Sequence, residues 1–153
     1  MTDFDNPNVE VPPKSLIKII LRWLAVIPVG IIGLFLGMIV VNIFALFGAW
    51  YTGDNLESSG YYKIMYNAIS PFIGGVLAVY WSAKVAPTHK KIVATVMAAI
   101  ILIIDVISTM YSISAKENSL FWVIITGLAI AIGAGYMMYY VYENEDDFKF
   151  LND

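Results

Sequence analysis

The sequence contains no cysteine and a single histidine, and only 14% of its 153 residues are charged. The lack of cysteine excludes disulfides, thiol catalysis and cysteine-ligated zinc or iron–sulfur sites. Soluble domains carry about 25% charged residues, so this chain has too few charges to cover the surface of a soluble fold. Its net charge of −3, without a basic stripe, gives nucleic acid no electrostatic means of binding. An ordinary soluble enzyme and a nucleic-acid-binding protein are therefore both excluded.

The sequence contains four long apolar runs with few or no charged residues. They extend over 31 residues from Trp23 to Gly53, over 20 from Ile64 to Ala83 and over 25 from Asn118 to Tyr142. A fourth run, Ile92 to Ala115, contains one charge, Asp105. About 20 apolar residues in a helix cross a bilayer core, and only helices or closed barrels satisfy the backbone there. The sequence therefore predicts an all-α, multi-pass integral membrane protein with four transmembrane helices.

The predicted transmembrane domain covers residues 16–142, with spans at about 28–50, 61–86, 89–113 and 119–142. The first uncharged run is too long for one upright span, because 31 residues reach about 46 Å. Pro28 should kink this helix, which makes residues 15–26 an amphipathic segment at the membrane interface. One steeply tilted helix is the alternative. In the second span, Pro71 predicts either a bend or the start of a new helix.

Basic residues predict the orientation of the four spans. One side of the membrane receives seven of the nine, namely Lys14, Lys18, Arg22, Lys84, Lys90, Lys91 and Lys149, and the other receives Lys63 and Lys116. Since basic residues accumulate on the cytosolic side, we expect an N-terminal tail at 1–15 and an acidic tail at 143–153, both cytosolic. We expect the membrane to be a plasma (inner) membrane.

Asp105 is the only charged residue inside a predicted span, and other polar residues lie at a similar depth. Measured from the span midpoints, Asn42, Ser70 and Thr126 fall at its level, and Thr109 follows it by one helical turn. One interpretation is a set of interhelical hydrogen bonds, worth about 0.6 kcal/mol each. The other is a proton or ion site, in which Asp105 is neutral or balanced by a cation.

Small residues recur every four positions in three of the predicted spans, which is typical of closely packed helices. These residues are Gly33 and Gly37, then Gly74 and Ala78, and finally Gly127, Ala131 and Gly135. We predict that they pack helices together within one subunit, and contact between two copies of the chain is the alternative.

No catalytic motif accompanies these features, since HExxH, GxSxG, Walker A and GxGxxG patterns are all missing. We therefore expect no enzyme activity, no cofactor and no metal site. The sequence favours a non-catalytic accessory, assembly or interaction subunit of the membrane. The alternative is an oligomeric, proton- or cation-coupled transporter or channel that uses Asp105. The expected partners are the lipid bilayer together with a second copy or another membrane protein, and no nucleic acid.

Overall fold

The computed structural model of this chain describes residues 13–53, 59–115 and 119–148. Over these residues it is all-helical, without strands, and four helices are long and apolar enough to cross a membrane. In chain order, the first helix is Pro13–Thr52, the second is Gly60–Val85, the third is Lys90–Ala115 and the fourth is Leu120–Glu143. Residues 1–12 of the predicted N-terminal tail and residues 149–153 of the acidic tail lie outside the described residues.

The first helix is continuous over 40 residues and contains Pro28 in its interior. It therefore joins the predicted interfacial segment at 15–26 to the predicted span at 28–50. At 1.5 Å per residue its length is about 60 Å, twice the thickness of a bilayer core. A continuous helix fits both the interfacial segment leading into the span at Pro28 and the alternative of one steeply tilted helix, so the two remain open predictions.

The second helix changes its winding at a proline. A π-helical segment, Met65–Ile69, separates an α-helical turn from the main α-helical part, Ser70–Val85. In it the N–H of Ser70 donates to the carbonyl of Met65, five residues earlier. Pro71 follows, and its ring would clash with the carbonyl four residues before it in a regular helix. The wider π turn relieves that conflict, so the helix continues through Pro71 with altered geometry.

A short 3-10 turn, Glu145–Phe148, follows the fourth helix and packs against the helix bundle. The Phe148 side chain is 1% exposed. Its ring lies edge-on against Tyr80 and Tyr140, with ring centroids 5.5 and 6.2 Å away. We call this turn the C-terminal clasp, because it contacts both the second and the fourth helix.

Three lysines hold the C-terminal clasp from the second and third helices. The Nζ of Lys84 donates to the carbonyl of Asp147 at 2.8 Å, and the Nζ of Lys90 donates to the carbonyl of Phe148. Lys91 pairs with the Glu145 carboxylate at 3.1 Å. This part of the acidic tail is therefore bound to the helices. We call the end of the bundle with these lysines the basic end, and the opposite end the far end.

The first and second helices touch through small residues. A Cβ on Gly37 would lie 3.1 Å from the Cα of Gly74, and one on Gly33 would lie 2.9 Å from a backbone carbonyl of the second helix. Ala78 and Ser82 are fully buried further toward the basic end. The Ser82 hydroxyl donates to a backbone carbonyl of the first helix at 3.1 Å. The repeat predicted from Gly74 and Ala78 thus lies in the contact.

The second and fourth helices meet at Gly75 and Gly133, which the sequence analysis did not single out. A Cβ on Gly75 would lie 2.6 Å from a backbone carbonyl of the fourth helix, and one on Gly133 would overlap the carbonyl of Phe72. By contrast, Gly135 faces open space, and Ala131 is only partly buried. Four-residue steps drift by roughly 40° each around a helix, so the stripe from Gly127 to Gly135 leaves this contact face.

Candidate functional site

A polar groove surrounds Asp105 between the second, third and fourth helices. Its volume is about 160 Å³. The groove, which we call the Asp105 groove, is lined by Tyr66, Asn67, Asp105, Ser108, Thr109, Ser112, Val123 and Thr126. Among the described residues, all of its charged and polar lining groups carry oxygen, and no Lys, Arg or His lines it.

The third helix supplies half of the lining, because its polar residues share one face. Ser108, Thr109 and Ser112 follow Asp105 at spacings of three, four and seven, which a helix places above one another. Their positions run from Asp105 toward the far end of the bundle. The polar face of the groove therefore runs along the part of this helix nearer the far end and stops at Asp105.

The fourth helix makes room for this face at a glycine. A Cβ on Gly127 would lie 3.2 Å from Oδ2 of Asp105 and 3.3 Å from Oγ1 of Thr109. A larger residue would push both side chains away from the fourth helix. One residue earlier, Thr126 lines the groove and donates its hydroxyl to the carbonyl of Trp122 at 2.9 Å.

The second helix contributes Asn67 from its π-helical segment. The Asn67 amide donates to the carbonyl of Lys63 at 2.8 Å. Its carbonyl oxygen lies 3.5 Å from the Thr126 hydroxyl, at the long limit of a hydrogen bond. Asn67 stands four residues before Pro71 and inside the π-helical segment, so the wider winding there changes the direction in which Asn67 points. Sequence reasoning missed this residue, although its position relative to Pro71 was the available signal.

The Asp105 carboxylate makes no hydrogen bond or ion pair with any residue that the structure describes. It is partly buried between Gly127 and the hydroxyls of its own helix. A carboxylate whose only role is to form interhelical hydrogen bonds would accept them from a donor on a neighbouring helix. Asp105 instead offers them to the groove, where a donor from another molecule, a proton or a hard cation can reach them.

Two of the predicted site residues lie away from the Asp105 groove. Ser70 is 2% exposed and donates to the carbonyl of Met38 at 3.2 Å, between the first and second helices. Asn42 follows Met38 by one turn on the first helix. Its Oδ1 is buried without a hydrogen-bond partner among the described residues. Polar groups at a similar predicted depth thus separate into two places, whereas Asp105, Thr109 and Thr126 share one groove.

The third helix is buried along one half only. The half nearer the basic end contributes core residues that are each at most 5% exposed, namely Val93, Ala94, Met97, Ala98 and Ile101. From residue 102 to residue 114 no side chain is buried, although this stretch contains Asp105 and the three hydroxyl residues that this helix contributes to the groove. Within this half, Asp105, Thr109 and Ser112 are partly buried, whereas Ser108 and the apolar side chains on the rest of the surface are exposed.

Metal binding by a cluster of protein ligands has no support in the part of the chain that the structure describes. No group of three or more His, Asp or Glu side chains lies close enough together there to hold an ion. A cation at Asp105 would depend on one carboxylate with hydroxyl and amide oxygens.

Comparison of the whole chain with protein-family models, with curated proteins and with solved structures finds no match.

Proposed function

We propose that this chain is a non-catalytic, multi-pass membrane protein that acts as an accessory or assembly subunit. In this proposal its Asp105 groove receives a transmembrane helix of a partner membrane protein. Both termini lie in the cytosol, as the seven-to-two division of basic residues favours, and we assign the chain to a plasma (inner) membrane as part of the same proposal. The observation that carries the proposal is the Asp105 groove, whose polar side chains on the third helix are exposed or only partly buried by the rest of the described chain.

A polar surface of this kind is unfavourable against lipid. An Asp near the middle of a transmembrane helix costs about 2.5–3.5 kcal/mol to insert, and such residues almost always face protein or a water-filled cavity. Here Asp105 has Ser108 and Ser112 beside it on a stretch without buried residues. A partner helix laid over the groove would remove these groups from lipid.

The chemistry of the groove indicates what the partner helix carries. The carboxylate of Asp105 is an acceptor, and the neighbouring hydroxyls can act as donors or acceptors. The described lining provides no positive charge. We therefore expect the partner to present a Lys, Arg or amide donor at the level of Asp105.

Photo-cross-linking in native membranes tests this proposal. A photoreactive amino acid at Ser108, which is exposed in the groove, should give an adduct with one discrete membrane protein. The matched control is the same amino acid at Ile132, an exposed apolar position of the fourth helix that is 61% accessible. Ile132 should give lipid adducts. Adducts of the same kind and yield at both positions would contradict the proposal.

A second candidate is an oligomeric transporter or channel in which Asp105 takes up a proton or cation. It is favoured by the several oxygen-bearing side chains of the lining and by the carboxylate of Asp105, which has no hydrogen-bond or ion-pair partner among the described residues. The transport role is weakened by the apolar core between the groove and the basic end of the bundle. This core is buried and includes Met97, Ile101 and Met137. A path across the membrane would have to run between copies of the chain.

Cross-linking and flux separate the two candidates. The oligomer predicts that the Ser108 adduct contains a second copy of this chain. It also predicts that vesicles with the purified protein conduct protons or Na⁺, and that Asp105→Asn stops the flux while the protein remains folded. The accessory role predicts no flux and a partner of different mass.

A further inference from the structure

An apolar cleft separates the first and third helices near the basic end of the bundle. Its volume is about 180 Å³, and all of its lining side chains are apolar. Trp23, Val26 and Ile27 line it from the first helix, and Val93 and Val96 are among the residues that line it from the third. We call it the basic-end cleft. It shares only the third helix with the Asp105 groove, and it lies along the opposite half of that helix.

The floor of the basic-end cleft is closed, whereas its rims are open. Val26 and Val93 pack with Ala86 in a small buried cluster, which joins the two helices at depth. Ile27 on one rim is 50% exposed and Val96 on the other is 51% exposed. The two helices therefore diverge from a shared apolar floor and leave a slot that an acyl chain can enter from the side.

Basic residues stand beyond one end of this slot. Arg22 precedes Val26 by four residues and so lies one helical turn nearer the basic end on the same face. Lys18 precedes Arg22 by another turn and is exposed. Residues of this kind at a membrane surface attract anionic lipids, by about fivefold in affinity for each basic residue.

We propose that the basic-end cleft binds an anionic phospholipid, with one acyl chain in the apolar slot and the phosphate near Arg22 and Lys18. The combination favours this ligand because the apolar slot accommodates a hydrocarbon chain and the positive charges of the basic pair attract an anion. A free phosphate ion satisfies only the second requirement. A zwitterionic phospholipid, which has no net charge, satisfies only the first requirement.

A second copy of the chain fits this cleft less well than a lipid. A two-fold pairing places the same surface of both copies in contact. Arg22 and Lys18 of each copy would then approach those of the other, and like charges repel. The acidic side chains described at the same end already have partners within the chain: Glu143 accepts from Tyr139, Glu145 pairs with Lys91, and Asp147 accepts from Tyr140.

Quenching of Trp23 by brominated lipid tests the proposal, because Trp23 lines the cleft. The chain has four tryptophans, so changing Trp50, Trp81 and Trp122 to Phe leaves Trp23 as the only reporter. This protein is placed in phosphatidylcholine vesicles that contain a fixed fraction of either dibrominated phosphatidylglycerol or dibrominated phosphatidylcholine. A matched reporter retains only Trp50, which lies at the far end and is 81% exposed.

We expect brominated phosphatidylglycerol to quench Trp23 with a relative affinity well above that of brominated phosphatidylcholine, up to about 25-fold if both basic residues contribute fully. Replacing Arg22 and Lys18 by Gln should return the ratio to about one while quenching by phosphatidylcholine stays the same. Trp50 should show a ratio of about one in both proteins.

Three results would overturn the proposal. Equal quenching of Trp23 by the two lipids would show that the basic pair selects nothing. A preference that survives the Gln replacements would place the anion elsewhere. Quenching by neither lipid would show that protein, such as a second copy, covers the cleft. Because the measurement uses Trp23 and purified protein, none of these results depends on a partner at Asp105.

Discussion

Gly127 of the fourth helix lies directly against Asp105 of the third, since a Cβ on Gly127 would be 3.2 Å from Oδ2 of the carboxylate. Beyond this level toward the far end, the third helix buries no residue. The contact therefore lies where the buried part of the third helix has ended and the Asp105 groove begins.

Leucine at position 127 should weaken the bundle. Its side chain would have to displace Asp105 and Thr109, and overpacking of this kind costs about 1–3 kcal/mol. Gly135→Leu is the matched control, two turns further along the same helix, because a Cβ there meets nothing within 4 Å. Melting in detergent should show a lower midpoint for Gly127→Leu and an unchanged or higher midpoint for Gly135→Leu. Equal midpoints would mean that Gly127 does not face the third helix.

Two polar residues between the first and second helices should respond in opposite directions. Ser70→Ala removes a buried hydrogen bond to Met38, so the free energy of unfolding should fall by about 0.6 kcal/mol. Asn42→Leu removes a buried oxygen without a described partner, so stability should rise by about 1 kcal/mol. Both are measured by reversible unfolding in mixed micelles. A loss of stability in Asn42→Leu would show that its amide has a partner in the folded protein.

Phe148→Ala should release the C-terminal clasp. Truncation of a buried Phe costs about 3–5 kcal/mol in a core, but a short terminal turn can detach before the whole bundle unfolds. We therefore expect rapid proteolysis after the fourth helix and a smaller fall in the global melting midpoint. Phe148→Leu should retain part of the protection. If Phe148→Ala is cleaved no faster than the parent chain, the clasp does not depend on this side chain.

The orientation can be tested with single cysteines, since the chain has none of its own. Thr88 is exposed in the turn between the second and third helices, and Ser119 is exposed just before the fourth helix. A membrane-impermeant maleimide should label Thr88→Cys only in inside-out vesicles and Ser119→Cys only in right-side-out vesicles. The reverse pattern would invert the proposed topology.

The four helices could be predicted from the sequence because an uncharged run of 20 or more residues is a local property. The position of a residue along its helix can be estimated in the same way, which is why Asn42, Ser70, Asp105 and Thr126 were predicted at similar levels. The direction in which a residue points around the helix could not be predicted from the sequence. Ser70 turned toward the first helix, while Asn67, one turn earlier, entered the Asp105 groove.

Local winding and helix contacts explain most of that difference. The π turn before Pro71 shifts the angular relation between Asn67 and Ser70, and no periodicity argument based on 100° per residue includes such a shift. Similarly, the stripe ending at Gly135 followed a regular four-residue step, whereas the fourth helix packs through Gly133 and Ala134. Which small residues meet depends on how two helices cross, and that depends on the whole bundle.

The central claim is that the polar half of the third helix binds a partner helix through Asp105. The direct measurement is the yield of the Ser108 protein adduct in native membranes for three chains: the parent, Asp105→Asn and Asp105→Leu. The Asp105→Leu substitution removes the free-energy cost of inserting a carboxylate into the membrane, so the protein should remain folded. A melting curve checks that it does. The account predicts that Asn retains a substantial part of the adduct, because its amide still forms hydrogen bonds, and that Leu lowers it by about tenfold, or ~1.4 kcal/mol. An undiminished adduct in a folded Asp105→Leu protein would contradict the account.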